Sequence, residues 1–397
     1  KTVVDFSFEA NKYFNDSQPW AIKKTDTERM EAYLDALGMK KHDTFEGADF
    51  IMFNTCSIKQ KAEDKVYGHL KKMKDLKLKK PNLQVVITGC MVRESSSRYS
   101  VKRDRLFSRL GDLDIALRIE ELPKLASLAR EVNPDLYLKE IPEESLEHYF
   151  QIDASHSSYE HKAQAFVAIS NGCDKFCTYC IVPTTRGGVR SRNLEDLLRE
   201  VRWMVAGGVR VITLLGQTVN SYGEDFAPPA GNEPRGTGRQ GRPSLGDLLR
   251  HLQEVEGLAR IRLITLHPSY VTRAFAEAIR DCDKVDRFLP LPAQAGSDAI
   301  LRGMKRGYNL DLYRRRADIL REIVPNIELG SDWIVGFPGE EEADFQGSLD
   351  FLEEQQFLVN YVFKYDPRPG THADERLANS VSDEVKKERN RRMLDAA

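Results

Sequence analysis

The sequence predicts an α/β protein in two parts: an N-terminal open parallel sheet with crossover helices, then a partial (β/α)6 barrel. Three observations predict it. Over the first ~135 residues, short β-like runs alternate with amphipathic helical patterns. A polar, irregular stretch at 141–162 then reads as a linker. Beyond it, six βα units follow in succession, and in such barrels chemistry sits at the C-terminal ends of the strands.

In the first part, Asp49–Phe53 (DFIMF) reads as a buried strand ending at Asn54-Thr55-Cys56, and Lys61–Leu76 as an amphipathic helix. Leu83–Thr88 is a second strand ending at Gly89-Cys90, and Asp114–Leu117 with a helix near Leu122–Glu131 continues the alternation. Two cysteines thus fall just past the C-terminal ends of two parallel strands, where ligands bind in open, flavodoxin-like sheets. Each alone reads more readily as a small buried hydrophobe than as a ligand, and their matching placement brings the two readings level.

The second part runs from strand Gln164–Ile169 through helix Leu194–Val205, strand Val209–Leu215 and helix Leu245–Val255. Strands follow at Arg260–Leu266, Asp286–Leu289, Ile327–Val335 and Leu358–Tyr365. The Pro/Gly/Arg-rich stretch Ala227–Ser244 is expected to be a mobile surface loop. Residues 1–140 are thus expected as one domain, 141–162 as a linker and 163–375 as the barrel, with 376–397 a helical, basic tail.

Composition excludes several classes. No run approaches the ~20 apolar residues of a membrane span, and the N-terminus lacks the regions of a signal peptide. The expected location is cytoplasmic. Net charge is only −2, but basic residues cluster at Lys59–Lys80, at Arg186, Arg190 and Arg192, and at Arg314–Arg316. Such runs are either solvated helix faces or contacts to a phosphate-rich partner. Six cysteines, three of them within eight residues, suit metal-bound thiolates in a reducing compartment better than a disulfide scaffold.

Those three, Cys173-x-x-x-Cys177-x-x-Cys180, carry the most specific signal. Three thiolates can hold three irons of a [4Fe–4S] cube and leave the fourth open. In radical chemistry the open iron takes the amino and carboxylate groups of S-adenosylmethionine (SAM), and electron transfer then yields a 5′-deoxyadenosyl radical. The alternative, zinc, takes four ligands, and no fourth Cys or His sits at fitting spacing. Tyr179 between the last two cysteines is expected either against the adenine or packed under the loop. Other strands end in polar or glycine-containing turns, making Gln217, Gln294, Ser297, Gly336 and Glu340 candidate SAM contacts.

Asn171-Gly-Cys-Asp-Lys-Phe-Cys-Thr-Tyr-Cys-Ile-Val-Pro-Thr-Thr-Arg-Gly resembles the cluster-binding segment of the radical SAM methylthiotransferases. Ile212–Gly223 (ITLLGQTVNSYG), Leu291–Tyr308, Asp332–Glu340 and Asp366–Thr371 match in order, as do Asn54–Val66 and Ile87–Glu94. The resemblance runs from about residue 25 to nearly the end and is nearest to the tRNA branch. That branch places a methylthio group on C2 of N6-isopentenyl-adenosine beside the anticodon. It is less similar to the branches acting on threonylcarbamoyl-adenosine or a ribosomal-protein aspartate. The resemblance implies a radical SAM barrel, a second [4Fe–4S] cluster on N-terminal cysteines that carries the sulfur, and two uses of SAM. It also implies a tRNA anticodon stem-loop as partner and an electron donor such as flavodoxin; it leaves the sulfur donor unidentified.

Two departures accompany the match. The family supplies three N-terminal cluster cysteines, whereas here Trp20 falls in the register of the first, leaving Cys56 and Cys90. The second cluster is then expected to need another ligand or to be labile or absent, which also raises the reading of an RNA-binding Fe–S protein impaired in sulfur transfer. The chain ends at Ala397, where the family's small β-barrel TRAM domain would follow.

Overall fold

A computed structural model describes residues 2–5, 30, 33–42, 44–55, 60–89, 91–100, 106–136, 138–139, 163–231 and 233–397. Trp20, Cys56, Cys90 and the expected linker lie outside the described residues. The chain divides into two compact units, Lys1–Glu160 with Thr184–Arg186, and His161–Pro183 with Gly187–Ala397.

The first unit contains β1 (Thr2–Asp5), β2 (Lys40–Lys41), β3 (Phe50–Thr55), α1 (Gln60–Lys79), β4 (Gln84–Gly89), β5 (Ser96–Ser97), α2 (Leu106–Arg109), β6 (Ile115–Leu117) and α3 (Leu125–Val132). Its sheet runs β2-β1-β3-β4-β6-β5, parallel throughout except for the antiparallel edge strand β5. Without that edge strand the order is the doubly wound, flavodoxin-like one. Period-2 alternation supplies both faces with apolar side chains. Phe50, Met52, Val86, Ile115 and Leu117 pack with Leu125 and Leu128 of α3. Ile51, Phe53, Val85 and Ile87 pack on the other face with Leu70 and Met73 of α1. Each such burial stabilises by about 1.5–3 kcal/mol. At the C-terminal edge, Thr55 and Gly89 are register partners, and a cysteine follows each in sequence.

The second unit holds six parallel strands: β7 (Gln164–Ala168), β10 (Val211–Leu215), β11 (Arg260–Leu263), β12 (Phe288–Pro290), β13 (Glu328–Val335) and β14 (Val359–Lys364). A small antiparallel pair, β8 (Ser170–Asn171) and β9 (Arg190–Ser191), frames the cysteine loop between β7 and β10. The six strands form two sheets, β7-β10-β11 and β12-β13-β14. They are linked by hydrogen bonds from Ile261 N to Lys284 O (2.7 Å) and from Asp286 N to Ile261 O (2.9 Å). No pairing joins β14 to β7 among the described residues, so the barrel is open, as expected.

Helix α4 (Val182–Arg186) follows the cysteine loop, its last three residues grouping with the first unit; α5 (Leu194–Ala206), α6 (Leu245–Gln253), α7 (Arg273–Asp281), α8 (Asp298–Gly303), α9 (Leu310–Ile323), α10 (Glu342–Gln355), α11 (His372–Arg376) and α12 (Asp383–Ala396) complete the second. Trp333 of β13 packs edge-on against Phe351 of α10, which marks the helix-facing side of the strand. Asp332 and Ile334 therefore point the other way, toward the interior, in register with Tyr361 and Phe363 of β14.

Two stretches are held by more contacts than their composition announces. The stretch Ala227–Ser244 closes on itself, with Gly236 N to Gly241 O (2.7 Å) and Gly238 N to Arg242 O (2.9 Å). Thr237 N donates to Asp247 Oδ2 (2.8 Å) at the start of α6, which anchors the loop. A side chain at residue 236 would put Cβ 2.4 Å from Arg242 O, so glycine there is what permits the closure. The C-terminal segment is helical but is no free tail: Lys386, Arg389 and Met393 of α12 are buried.

Candidate active site

The cysteine loop leaves β8 at the C-terminal rim of the barrel. Gly172 has φ +79°, and a Cβ there would meet Gly188 O at 2.0 Å, so only glycine lets the loop turn so close to the returning strand. Cys173 N donates to Gly187 O (3.0 Å) and Cys180 N to Cys177 O (2.9 Å). Thr178 locks the far side: its N–H donates to Met304 O (3.0 Å) and its hydroxyl to Gly303 O (2.8 Å), while Ala373 N donates to Thr178 O (2.8 Å). The three thiols are thereby held on one short, braced loop. Cys173 Sγ also lies 3.6 Å from the hydroxyl of Thr218, beyond β10.

The electrostatics are those of a desolvated thiol site. Burial pushes the Cys180 thiol up to about 12, and Cys177 and Cys173 push in the same direction, which places the three sulfurs in mutual influence. Without a cation the Cys180 thiol keeps its proton; bound iron would displace it. Arg306, almost fully buried, reaches the site from beyond α8: Nη1 is 3.2 Å from Cys177 Sγ and 3.2 Å from the Tyr179 hydroxyl. Its Nε donates to Tyr308 OH (3.2 Å), which in turn donates to Ala293 O (2.9 Å). Lys175 Nζ lies 4.0 Å from the Tyr270 ring centroid, a cation–π contact that fastens the middle of the loop.

The expected SAM contacts divide into two groups. Gln217 keeps a buried Oε1 without a hydrogen-bond partner beside the loop-bearing rim, an orphan acceptor that a ligand donor would satisfy. Gln294 sits at the rim with φ +73°, its N–H on Asp332 O (2.9 Å) and its carbonyl taking Ile334 N (2.9 Å). Tyr179 presents its hydroxyl to Arg306 and its edge to Phe337, so it packs within the loop's own support.

Ser297, Gly336 and Glu340 each have protein partners close by. Ser297 caps α8 and donates to Asp344 Oδ1 (2.5 Å). Gly336, φ +75°, lacks a side chain because Lys386 Cγ of α12 would lie 2.3 Å from a Cβ. Glu340 is buried and accepts from Gly336 N (2.6 Å) and Arg389 Nη1 (2.7 Å). The basic runs also resolve partly: Arg192 is buried on Glu200 (2.5 Å) and Arg314 pairs with Glu354 (2.7 Å), both structural. On α1, Lys77 pairs with the buried Asp114, while Lys71, Lys72 and Lys74 remain exposed. Cys282 is buried just past α7.

A [4Fe–4S] group fits this donor set. Among the described residues no three His, Cys, Asp or Glu side chains converge to hold a single metal ion. A cube spreads three thiolates over three different irons, so its ligands need no common point. The loop thiols, the adjacent buried guanidinium and the orphan Gln217 oxygen supply what a cluster with an open iron and an amino-acid ligand would use.

Residues missed from sequence are those whose partners are distant in the chain. Arg306 lies 129 residues from Cys177, and no local pattern announces it. Thr265, a β-branched residue at φ +52°, ends β11 with its hydroxyl on Gly216 O (2.7 Å), a strained turn of the kind that accumulates at functional rims. Asn220 and His267 exchange hydrogen bonds across the same rim (Nδ2 to His267 O, 3.0 Å; His267 N to Oδ1, 2.9 Å).

Comparison with known proteins gives the family. The radical SAM superfamily model matches residues 167–352, and that of the uncharacterized protein family UPF0004 matches residues 21–108. The tRNA-2-methylthio-N(6)-dimethylallyladenosine synthase of Clostridium tetani (strain Massachusetts / E88) is 34% identical over 99% of this chain and 82% of its own length. The same enzyme of Protochlamydia amoebophila (strain UWE25) is 37% identical over 96% and 80%. In fold, the chain resembles the radical SAM methyltransferase TsrM from Kitasatospora setae, at TM-score 0.61 and 14% identity over 94% of this chain and 76% of that one. It also resembles the cobalamin-dependent radical enzyme OxsB, at TM-score 0.56 and 14% identity over 99% of this chain and 56% of that one. The chain belongs to the radical SAM superfamily and, within it, to the family of the tRNA-2-methylthio-N(6)-dimethylallyladenosine synthases.

Proposed function

We propose that this chain places a methylthio group on C2 of N6-isopentenyl-adenosine in tRNA, initiating the reaction at the Cys173–Cys177–Cys180 loop. The observation that carries the reading is the braced three-thiol loop at the C-terminal rim of an open parallel barrel, in a chain whose relatives are synthases of this product. Cys173, Cys177 and Cys180 hold the cluster, and the Gln217 oxygen receives a donor group of SAM. With both bound, the site supplies a 5′-deoxyadenosyl radical, the reagent an unactivated aromatic C–H bond requires.

The barrel's interior face supports a nucleobase substrate. Phe166, Thr213 and Arg262 share one wall in register, and Asp332, Tyr361 and Phe363 share the other. Tyr361 and Phe363 are more than a third exposed, as aromatic platforms for base stacking are. Exposed Lys71, Lys72 and Lys74 on α1 suit the phosphates of an RNA partner. An electron donor such as flavodoxin completes the reaction, in the cytoplasm; no helix among the described residues is long and apolar enough to cross a membrane.

Sulfur delivery is assigned to a second cluster on Cys56 and Cys90, supported by the side-by-side register of Thr55 and Gly89 immediately before them. A second reading rests on Trp20, which stands in the register of the third cysteine: SAM is cleaved but no methylthio product forms. Anaerobic turnover with SAM, dithionite and an isopentenyl-modified anticodon stem-loop, read by mass spectrometry, separates the two. Methylthiolated RNA is the expected result; 5′-deoxyadenosine without it establishes the second reading.

A further inference from the structure

Arg306 presents an unbalanced buried charge. The residue is 7% exposed, and its guanidinium cannot shed its proton. Among the described residues no carboxylate lies within ion-pair distance of it; its partners are a thiol, Cys177 Sγ, and two phenols, Tyr179 and Tyr308. Asp332 feels the Arg306 charge but forms no ion pair with it. Burying a cation without an opposite charge is costly enough that such groups are normally paired. The missing negative charge is supplied when the three neighbouring thiols become cluster ligands, because a cube bound by three thiolates is net anionic and gains a further negative charge on reduction.

We infer that Arg306 is the counter-charge of the cluster on Cys173, Cys177 and Cys180, holding it in place and favouring its reduced state. This rests on the radical SAM reading of the loop and adds a positioning residue outside the cysteine segment. The Nη1 donor 3.2 Å from Cys177 Sγ is oriented by Tyr308, whose hydroxyl is itself anchored on Ala293 O, so the charge is fixed at one sulfur rather than spread over the pocket. Hydrogen bonds and charges beside cluster sulfurs are a principal means by which proteins set reduction potentials.

The test compares wild type, Arg306→Gln and Arg306→Lys after anaerobic reconstitution, by iron content and by a potentiometric titration followed by electron paramagnetic resonance. Removing the charge is expected to make reduction about tenfold less favourable, a downward shift of about 59 mV for one electron, with Arg306→Lys recovering most of it. Failure of Arg306→Gln to retain iron while Arg306→Lys retains it supports the same role. An Arg306→Gln cluster with wild-type potential overturns the inference, as do equal defects in the two variants, since geometry and not charge would then matter. A wild-type protein that binds no cluster refutes the radical SAM reading itself.

Discussion

At the level of single residues, the triad was legible because cluster chemistry imposes a local spacing, whereas Arg306, which reaches Cys177 from beyond α8, lies 129 residues away. Gly172 was likewise only one of several loop glycines until its φ of +79° and its approach to Gly188 O were visible. Gly172→Ala is expected to destabilise the loop by more than about 1 kcal/mol, and iron retained after reconstitution should fall well below wild type. Asp332 yields a pH prediction. Burial in the barrel raises its carboxyl from the usual 3.8 to about 6, although Arg306 opposes the shift. Between those values the folded, iron-free protein keeps a proton that the unfolded chain has released. Stability from this group therefore falls as pH rises through the window and stays reduced above it. Asp332→Asn should be more stable than wild type at about pH 7.5, by on the order of 1–3 kcal/mol, and nearly equal at about pH 4. Thermal denaturation at the two pH values checks this, and a pH-independent difference contradicts it.

At the scale of elements, strands and helices with clear periodicity were placed within a few residues, because apolar spacing of 2 and 3.6 encodes which face meets the core. The pair β8–β9 escaped, since two-residue strands carry no period, and so did the packing of Glu340 and Gly336 against α12. That helix is fastened by an ion pair between Arg389 and Glu340, with side chains 6% and 1% exposed. Arg389→Ala leaves the carboxylate buried and unpaired and should cost about 3–5 kcal/mol in chemical denaturation. The double variant Glu340→Gln, Arg389→Met keeps an acceptor for Gly336 N and should recover most of that loss.

At the scale of the whole molecule, two α/β units are joined in one chain; in the second the cysteine loop lies at the C-terminal ends of parallel strands, and in the first a cysteine follows each of β3 and β4 in sequence. This is where both architectures leave backbone groups and loops free for ligands. The order of elements made that arrangement readable from sequence, since alternating strands and helices have few right-handed solutions. The interior walls were not readable, because which of two alternating faces points inward depends on closure of the barrel.

The central claim is that the Cys173–Cys177–Cys180 loop cleaves SAM. Reductive turnover of the anaerobically reconstituted protein, quantified as 5′-deoxyadenosine formed per chain, tests it most directly. The account predicts multiple equivalents from wild type and none above background from Cys177→Ala. Iron-loaded wild-type protein that forms no 5′-deoxyadenosine, or an undiminished yield from Cys177→Ala, would contradict it.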